Sequence, residues 1–152
     1  MPSLIKCPAA GLGLLAVTLA VIGSPACASS SSSAAPAGAT FSDIYPLIFP
    51  VTTKAQCNFC HGLPANDKSN GKLSMGMDKA TAYAALVGKT SSSSMCSGKA
   101  LVVAGQPDSS LFLQKLDTTP PCGGHMPLGG DALPAAQLDM VRTWIAAGAK
   151  DD

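Results

Sequence analysis

Cys57-Asn58-Phe59-Cys60-His61 is the stretch of sequence on which the fold of this chain depends. Two cysteines three positions apart are followed directly by a histidine. Thiols at this spacing can each form a thioether with one vinyl group of a haem, and the adjacent histidine can supply a nitrogen to the iron. The pattern C-x-x-C-H is the signature of this c-type attachment. It predicts one haem c per chain, held by Cys57 and Cys60 with His61 as an axial ligand, and we expect that haem to form the centre of the core.

Two other interpretations of the cysteines stay open at the level of sequence. Cys57 and Cys60 could form a plain disulfide, with His61 incidental to it. Alternatively, these two could join Cys96 and Cys122 in a zinc or iron–sulfur site, because four thiolates satisfy tetrahedral zinc. An oxidising compartment favours paired thiols over free ligands, so in an exported chain the simplest use of Cys96 and Cys122 is a disulfide with each other.

Residues 1–28 have the pattern of a secretory signal peptide. Lys6 gives a weakly positive start, the run from Ala9 to Gly23 carries no charge, and Ala26-Cys27-Ala28 fits a small-x-small cleavage site. The uncharged run is shorter than the roughly 20 apolar residues of a membrane span. One alternative is a lipoprotein signal, cleaved before Cys27 with lipid on its sulfur, and another is a retained anchor helix. We expect export to the periplasm, with a membrane tether if Cys27 carries lipid.

Residues 29–39 (SSSSSAAPAGA) are small or polar and predict a flexible linker. The folded domain, which contains the motif above, is expected to span residues 40–150. Apolar residues at helical spacing predict about four short helices in it. No run of alternating β-branched residues is present. The fold class is therefore predicted to be all-α, with long Gly/Pro-rich loops around a covalently bound haem.

The first predicted helix lies near Phe41–Phe49, with Ile44, Leu47 and Ile48 on one face and with Pro46 limiting its regularity. Three further helices are indicated by their caps, stops and apolar spacing. The second helix is expected to be capped by Asp78 and to stop at Gly88, and the third to be capped by Asp108 or Ser109. The last is expected to have Pro134 as its first residue and to end at Gly148. Their apolar positions are Ala80, Tyr83, Ala84 and Val87 in the second, Leu111, Phe112 and Leu116 in the third, and Leu138, Val141 and Ile145 in the last.

The sixth ligand of the iron is expected to be a methionine. Met126 lies in the segment 123–130 (GGHMPLGG), where glycines let the backbone pass close to a haem face. We prefer Met126 for this reason. Met75 and Met77, which follow the motif closely, and His125 are the alternatives.

The composition excludes several classes of protein. Charged residues make up 12% of the 152 residues and the formal net charge is +1, without the basic stripe of a nucleic-acid binder. Aromatic residues make up only 5%, so we expect a core mainly of Leu, Val, Ile, Met and Ala. Trp144 is expected either at the haem edge or between helices. No Ser/His/Asp constellation is evident, which argues against hydrolytic catalysis.

The domain resembles small monohaem c-type cytochromes, most closely the planctomycete-type cytochrome c domains of exported bacterial proteins, over about residues 41–149. The matching stretches are, in order, Cys57–Gly62 (CNFCHG), Val103–Leu111 (VAGQPDSSL), Lys115-Leu116, Met126-Pro127 and Trp144–Ala149 (WIAAGA). The resemblance implies that residues 40–150 form a cytochrome c domain, with a cytochrome c-like fold whose first and last helices pack together beside the haem. It also implies haem attachment at Cys57 and Cys60, with His61 and Met126 on the iron. The Cys96–Cys122 pair is a departure, since many such domains lack it.

An iron with both axial positions taken by the chain has no open site for a substrate, which favours one-electron transfer. The thioether of methionine stabilises ferrous iron and so raises the potential relative to two histidines. We therefore expect an electron carrier and not an enzyme, a monomer whose partners are redox proteins of the periplasm or the membrane. The alternatives are a haem enzyme or gas sensor with a labile Met126, and a haem-free module stapled by disulfides or zinc.

Overall fold

The computed structural model describes residues 38–62 and 73–152, all within one compact unit of the chain, Ser33–Asp152. Its helices are α1 (Phe41–Ile48), α2 (Cys57–His61), α3 (Lys79–Leu86), α4 (Leu111–Leu116) and α5 (Ala135–Ala146), with 3-10 turns at Ser94–Cys96 and Pro107–Ser109. The described residues form no sheet, and their β-type pairing is limited to two isolated bridges. The all-α class is thereby confirmed. The additional helix, beyond the four expected, is the C-x-x-C-H motif itself.

The predicted signal peptide, Cys27 and residues 29–37 of the predicted linker lie outside the described residues. Within the described part of the chain, no helix has the length and apolar character needed to cross a membrane.

A capping box starts α1. The backbone N–H of Asp43 donates to the Thr40 hydroxyl (3.1 Å), and the Thr40 backbone N–H donates to the Asp43 carboxylate (3.0 Å). These bonds from Thr40 lower the pKa of Asp43. Pro46 lies inside the helix, yet the helix continues to Ile48, because its caps and its packing outweigh the loss of one N–H donor. The predicted apolar face is wrong at Leu47, which is 41% exposed.

The buried core consists mainly of Leu, Val, Ile, Met and Ala, as expected, and a cluster of aromatic rings lies within it. Phe41 is fully buried, and its ring lies 4.9 Å from that of Trp144 in a stacked arrangement, measured between centroids. The other rings of the cluster are Tyr45, Phe49, Tyr83 and Phe112. Six of the seven aromatic residues in the chain meet at this place, so a low aromatic content still forms a cluster.

The first and last helices pack together, as expected, through the stacked pair of Phe41 on α1 and Trp144 on α5. Trp144 belongs to the interhelical core, and its indole N–H donates to the Lys150 carbonyl (2.8 Å). Val141 and Ile145 of the predicted stripe are buried, whereas Leu138 is half-buried. Pro134 occupies the N-cap and not the first helical position, because its ψ of 139° is extended.

The predicted caps of the two middle helices differ in outcome. Asp78 caps α3, since its carboxylate accepts the backbone N–H of Thr81 (2.9 Å). The cap of α4 is Ser110, not Asp108 or Ser109, because those two residues form a 3-10 turn that begins at Pro107. The buried hydroxyl of Ser110 accepts the Val103 N–H (2.9 Å) and thus ties that turn to the preceding strand-like segment.

The apolar face predicted for α3 is wrong in part. Ala80 and Ala84 are exposed, and Ala82 and Leu86 are the buried residues of this helix. Four alanines in one short helix leave two faces nearly equal in hydropathy, so tertiary packing selects between them. The predicted stop at Gly88 is confirmed by its φ of +68°.

Replacing Phe41 with alanine is expected to lower the free energy of unfolding by about 3–5 kcal/mol, because a fully buried ring leaves a cavity at the junction of α1 and α5. Leu47→Ala, on the same helix but exposed, is the matched control and should cost about 1 kcal/mol or less. Urea unfolding followed by far-UV circular dichroism measures both. Equal losses in the two variants would contradict the central position of Phe41.

Candidate cofactor site

The C-x-x-C-H motif folds as the short helix α2, which follows Gln56 in a left-handed conformation (φ 47°). Its end is fixed at Gly62, whose backbone N–H donates to the Asn58 carbonyl (3.0 Å). A Cβ at this position would lie 2.4 Å from the Asn58 carbonyl oxygen and 2.3 Å from the Met77 sulfur. Only glycine can therefore follow His61 in this packing.

Asn58, between the two cysteines, anchors α2 to α1. Its backbone N–H donates to the Phe49 carbonyl (2.8 Å), and its side-chain amide donates to the Tyr45 hydroxyl (3.1 Å). That hydroxyl in turn donates to the Met77 carbonyl (2.8 Å). Asn58 is buried, and its Oδ1 has no hydrogen-bond partner among the described residues. The motif is thus held on the aromatic core from the side opposite the two thiols.

His61 is oriented by a backbone carbonyl. Its Nδ1 lies 3.0 Å from the Leu73 carbonyl oxygen, which can only accept, so Nδ1 carries the proton. The other ring nitrogen, Nε2, then has its lone pair free for a metal, and a partner of this kind on the far nitrogen is usual for ligating histidines. The His61 carbonyl also accepts the Met75 N–H (2.6 Å), so segment 73–75 runs back along α2.

Met126 reaches the site from a different part of the fold. It lies in the loop between α4 and α5, where its backbone N–H donates to the Lys115 carbonyl (2.6 Å). Met126 and Pro127 are joined by a cis peptide bond. A disulfide between Cys96 and Cys122 ties the start of the loop to the 3-10 turn at Ser94–Cys96. The predicted pairing of these two cysteines is thereby confirmed.

One cavity of about 710 Å³ brings the predicted site residues together. Cys57, Cys60, His61 and Met126 all line it. The volume falls within the range of about 300–1,000 Å³ typical of cofactor and ligand sites. The apolar side chains of its wall include Leu73, Leu86, Leu101, Leu111, Phe112 and Leu116. Two thiols, an imidazole and a thioether on the wall of a large apolar cavity are a set of groups that fits a haem.

The alternative ligands occupy different places. Met75 lines the cavity but is only 2% exposed and is bonded to His61, so it lies on the histidine side. Met77 does not line the cavity; its sulfur packs at Gly62, and the residue is 60% exposed. His125 also lies outside the lining, with its Nε2 3.0 Å from the Gly130 carbonyl oxygen. Of the candidate ligands, Met126 and Met75 line the cavity with His61, and Met77 and His125 do not.

The two other interpretations of the cysteines do not match the structure. Cys57 and Cys60 are free thiols, so the plain disulfide between them is not formed. The sulfurs of Cys96 and Cys122 are bonded to each other, which removes two of the four thiolates that the zinc interpretation needs. Within the described ranges no group of three or more His, Cys, Asp or Glu side chains is arranged to hold a metal ion.

The two free thiols differ in environment. Cys57 is half-buried and Cys60 is exposed. Burial, with a smaller contribution from the nearby Cys60, raises the pKa of the Cys57 thiol to about 12. In the haem-free chain Cys57 is therefore protonated at neutral pH and behaves as an apolar wall residue.

Sequence reasoning missed the groups that support the site. The Leu73 carbonyl, the Asn58 side chain and the Tyr45 hydroxyl act through backbone and long-range contacts that no motif specifies. A signal did exist for Lys115, a basic residue in the last turn of α4 that belongs to one of the stretches carrying the family resemblance.

Comparison of the chain with protein-family models, with curated proteins and with solved structures finds no match. The resemblance to c-type cytochromes therefore rests on the sequence motifs, and the case for function rests on the geometry of the site.

Removing the disulfide is expected to destabilise the domain by about 3.5 kcal/mol, from the entropy of a loop whose ends are 26 residues apart. The variant is Cys96→Ala with Cys122→Ala, and the control is Met95→Ala, an exposed neighbour outside the bridge. Urea unfolding measures both. A loss below about 1 kcal/mol in the double variant would contradict a stabilising role for the bridge.

In the folded haem-free chain, iodoacetamide is expected to label Cys60 at least about tenfold faster than Cys57 at about pH 8, because the thiolate is the reactive form. Raising the pH toward 12 should increase the rate at Cys57, since its pKa lies there. Peptide mass spectrometry measures the two rates. The control is the chain unfolded in concentrated urea, where the difference should vanish, as burial is lost. Equal rates in the folded chain would contradict the buried position of Cys57.

Proposed function

We propose that this chain is an exported c-type cytochrome that carries one covalently attached haem c and transfers single electrons. The observation that supports it is the convergence of Cys57, Cys60, His61 and Met126 on one apolar cavity. These residues come from two separate parts of the fold, and chance would seldom place the free thiols, an imidazole and a thioether around a cavity of this size.

Each of these residues has a distinct part in the proposal. Cys57 and Cys60 hold the haem through thioethers. His61 binds iron through Nε2, since the Leu73 carbonyl holds its Nδ1 proton, and Met126, which lines the same cavity, binds through its sulfur. The haem iron supplies the chemistry, a one-electron change between its ferric and ferrous forms. The leucines and Phe112 of the wall exclude water, which favours the ferrous form, as the soft sulfur of Met126 also does.

Carriage of electrons is favoured over catalysis because the chain offers a side chain for each axial position. A site closed in this way leaves no coordination position for peroxide, oxygen or another substrate. The residue beside Met126 supports this choice, since His125 does not line the cavity and its Nε2 lies 3.0 Å from the Gly130 carbonyl oxygen. Among the described residues of this loop, no acid–base side chain lines the cavity.

The place of action follows from the N-terminal sequence. A signal peptide at residues 1–28 and a linker at 29–39 deliver the domain to the periplasm, where haem c is attached, and lipid on Cys27 would tether it at a membrane. Its partners in this proposal are redox proteins of the periplasm or the membrane, and it acts as a monomer.

The proposal is tested on protein expressed in a host that attaches haem c. Met126→Ala should abolish the weak red charge-transfer band that reports sulfur on ferric haem iron, and should lower the midpoint potential. Met95→Ala is the matched control, because Met95 lines the same cavity but is 69% exposed. Met77→Ala is a second control outside the cavity. Both controls should keep the band, which absorption spectra of the oxidised protein measure.

Three results would count against this assignment. If Met126→Ala keeps the band and Met75→Ala loses it, the ligand is Met75. Rapid and complete binding of carbon monoxide to the reduced wild-type protein would indicate a labile sixth ligand and favour a haem enzyme or gas sensor. A colourless chain without added haem mass, from a host competent in attachment, would refute the proposal as a whole.

A further inference from the structure

Lys115 lies between the rigid core and the loop that carries Met126. It is in the last turn of α4, whose residues Leu111 and Leu116 are buried in the hydrophobic core. Its own side chain is half-buried and contributes to the wall of the cavity. The backbone of Lys115 therefore moves with the core, while its side chain reaches the site.

Lys115 makes three hydrogen bonds to the segment Cys122–Met126. Its Nζ donates to the Cys122 carbonyl (2.8 Å) and to the Gly124 carbonyl (2.5 Å). Its own carbonyl accepts the Met126 N–H (2.6 Å). One residue thus binds the segment at its first, third and fifth positions, and two of these bonds are strengthened by the charge of the ammonium.

The loop is closely wrapped around this ammonium. Gly123 has a φ of +59°, and a Cβ there would lie 3.0 Å from Lys115 Nζ and 3.3 Å from the Met95 methyl carbon. Glycine is needed for the approach. Burial lowers the pKa of Lys115, as expected for an ammonium that has exchanged part of its water for backbone carbonyls.

We propose that Lys115 is a positioning residue that holds Met126 as the axial ligand of the haem, and this inference rests on the proposed function. The described loop from Asp117 to Pro134 contains no helix of its own, and the disulfide fixes it at Cys122 alone. The hydrogen bonds of Lys115 restrain the loop further along, as far as Met126. Without them the methionine sulfur would leave the iron more readily, because the loop would have a wider choice of conformations.

The test compares Lys115→Leu with Lys99→Leu in haem-loaded protein. Leucine keeps part of the apolar stem, removes every N–H donor of the side chain and adds no sulfur that could bind iron. Lys99 is exposed and lies outside the cavity lining. In Lys115→Leu the red charge-transfer band should fall at least twofold, carbon monoxide should bind the reduced form faster, and the midpoint potential should drop. In Lys99→Leu all three should match wild type. Far-UV circular dichroism and haem mass verify that the variants are folded and loaded.

The outcomes separate this inference from the proposed function. If wild type has the haem and the band, and folded Lys115→Leu has the same band and the same carbon monoxide binding, Lys115 does not position Met126. A lower unfolding temperature with unchanged spectra would also overturn the inference, since it reports only a general loss of stability. If wild type itself has no haem, the proposed function fails and this inference with it. Should Lys115→Leu not accumulate, Lys115→Gln, whose amide is too short to reach both carbonyls, is judged by the same band criterion.

Discussion

The ring of Phe41 is the contact on which the arrangement of the domain depends. It touches Tyr45 and Phe49 in its own helix or just after it, Tyr83 on α3 and Trp144 on α5. Three helices distant in sequence are thereby brought to one point. Large rigid rings bury much apolar surface at little cost in side-chain entropy, so a small domain gains most from placing them together. The positions of the remaining elements follow from this cluster.

The walls of the cavity are both extensions of that core. On one side, Phe49 accepts a backbone bond from Asn58 and thereby fixes α2 with its two thiols. On the other, Phe49 packs on Phe112 of α4, the helix from which the Met126 loop is held. Since one residue contacts both walls, the distance between them is set by the core and not by the loops. A small domain of this kind gains burial when a large apolar group lies between such walls.

The described part of the chain therefore combines a packed aromatic core with thiol, imidazole and thioether groups that line one cavity. His61 is oriented through Leu73, and Met126 is restrained through the backbone of α4. Restraint on both sides suits a carrier, because an iron whose ligands stay in place changes charge with little rearrangement of the protein. A catalytic or sensing site would instead need one side to release its ligand. This contrast is the reason for preferring electron transfer.

The helices were largely predictable because their signals are local: the cap at Asp78, the stop at Gly88 and the apolar stripe of α5 depend on neighbouring residues. The errors arose where tertiary packing decided which residues are buried and how far a helix extends. Leu47 is exposed although its spacing suits a buried face, and Pro46 is tolerated inside α1 because the aromatic contacts stabilise that helix. The composition also did not predict the contacts among six aromatic residues that are scattered along the sequence, because such contacts depend on how the helices are arranged in the fold.

By itself the sequence determined which reactive side chains the motif contains. Cys57, Cys60 and His61 are neighbours along the covalent chain, so their spacing is the same in any fold. It also made the Cys96–Cys122 pair expected, from the logic of export. Only the tertiary structure decided that Met126 shares a cavity with His61 whereas Met77 does not, and that Lys115 donates hydrogen bonds to the loop of Met126. Those choices depend on contacts between residues that lie far apart in the chain, and their energies exist only once the aromatic core has fixed the helices relative to one another.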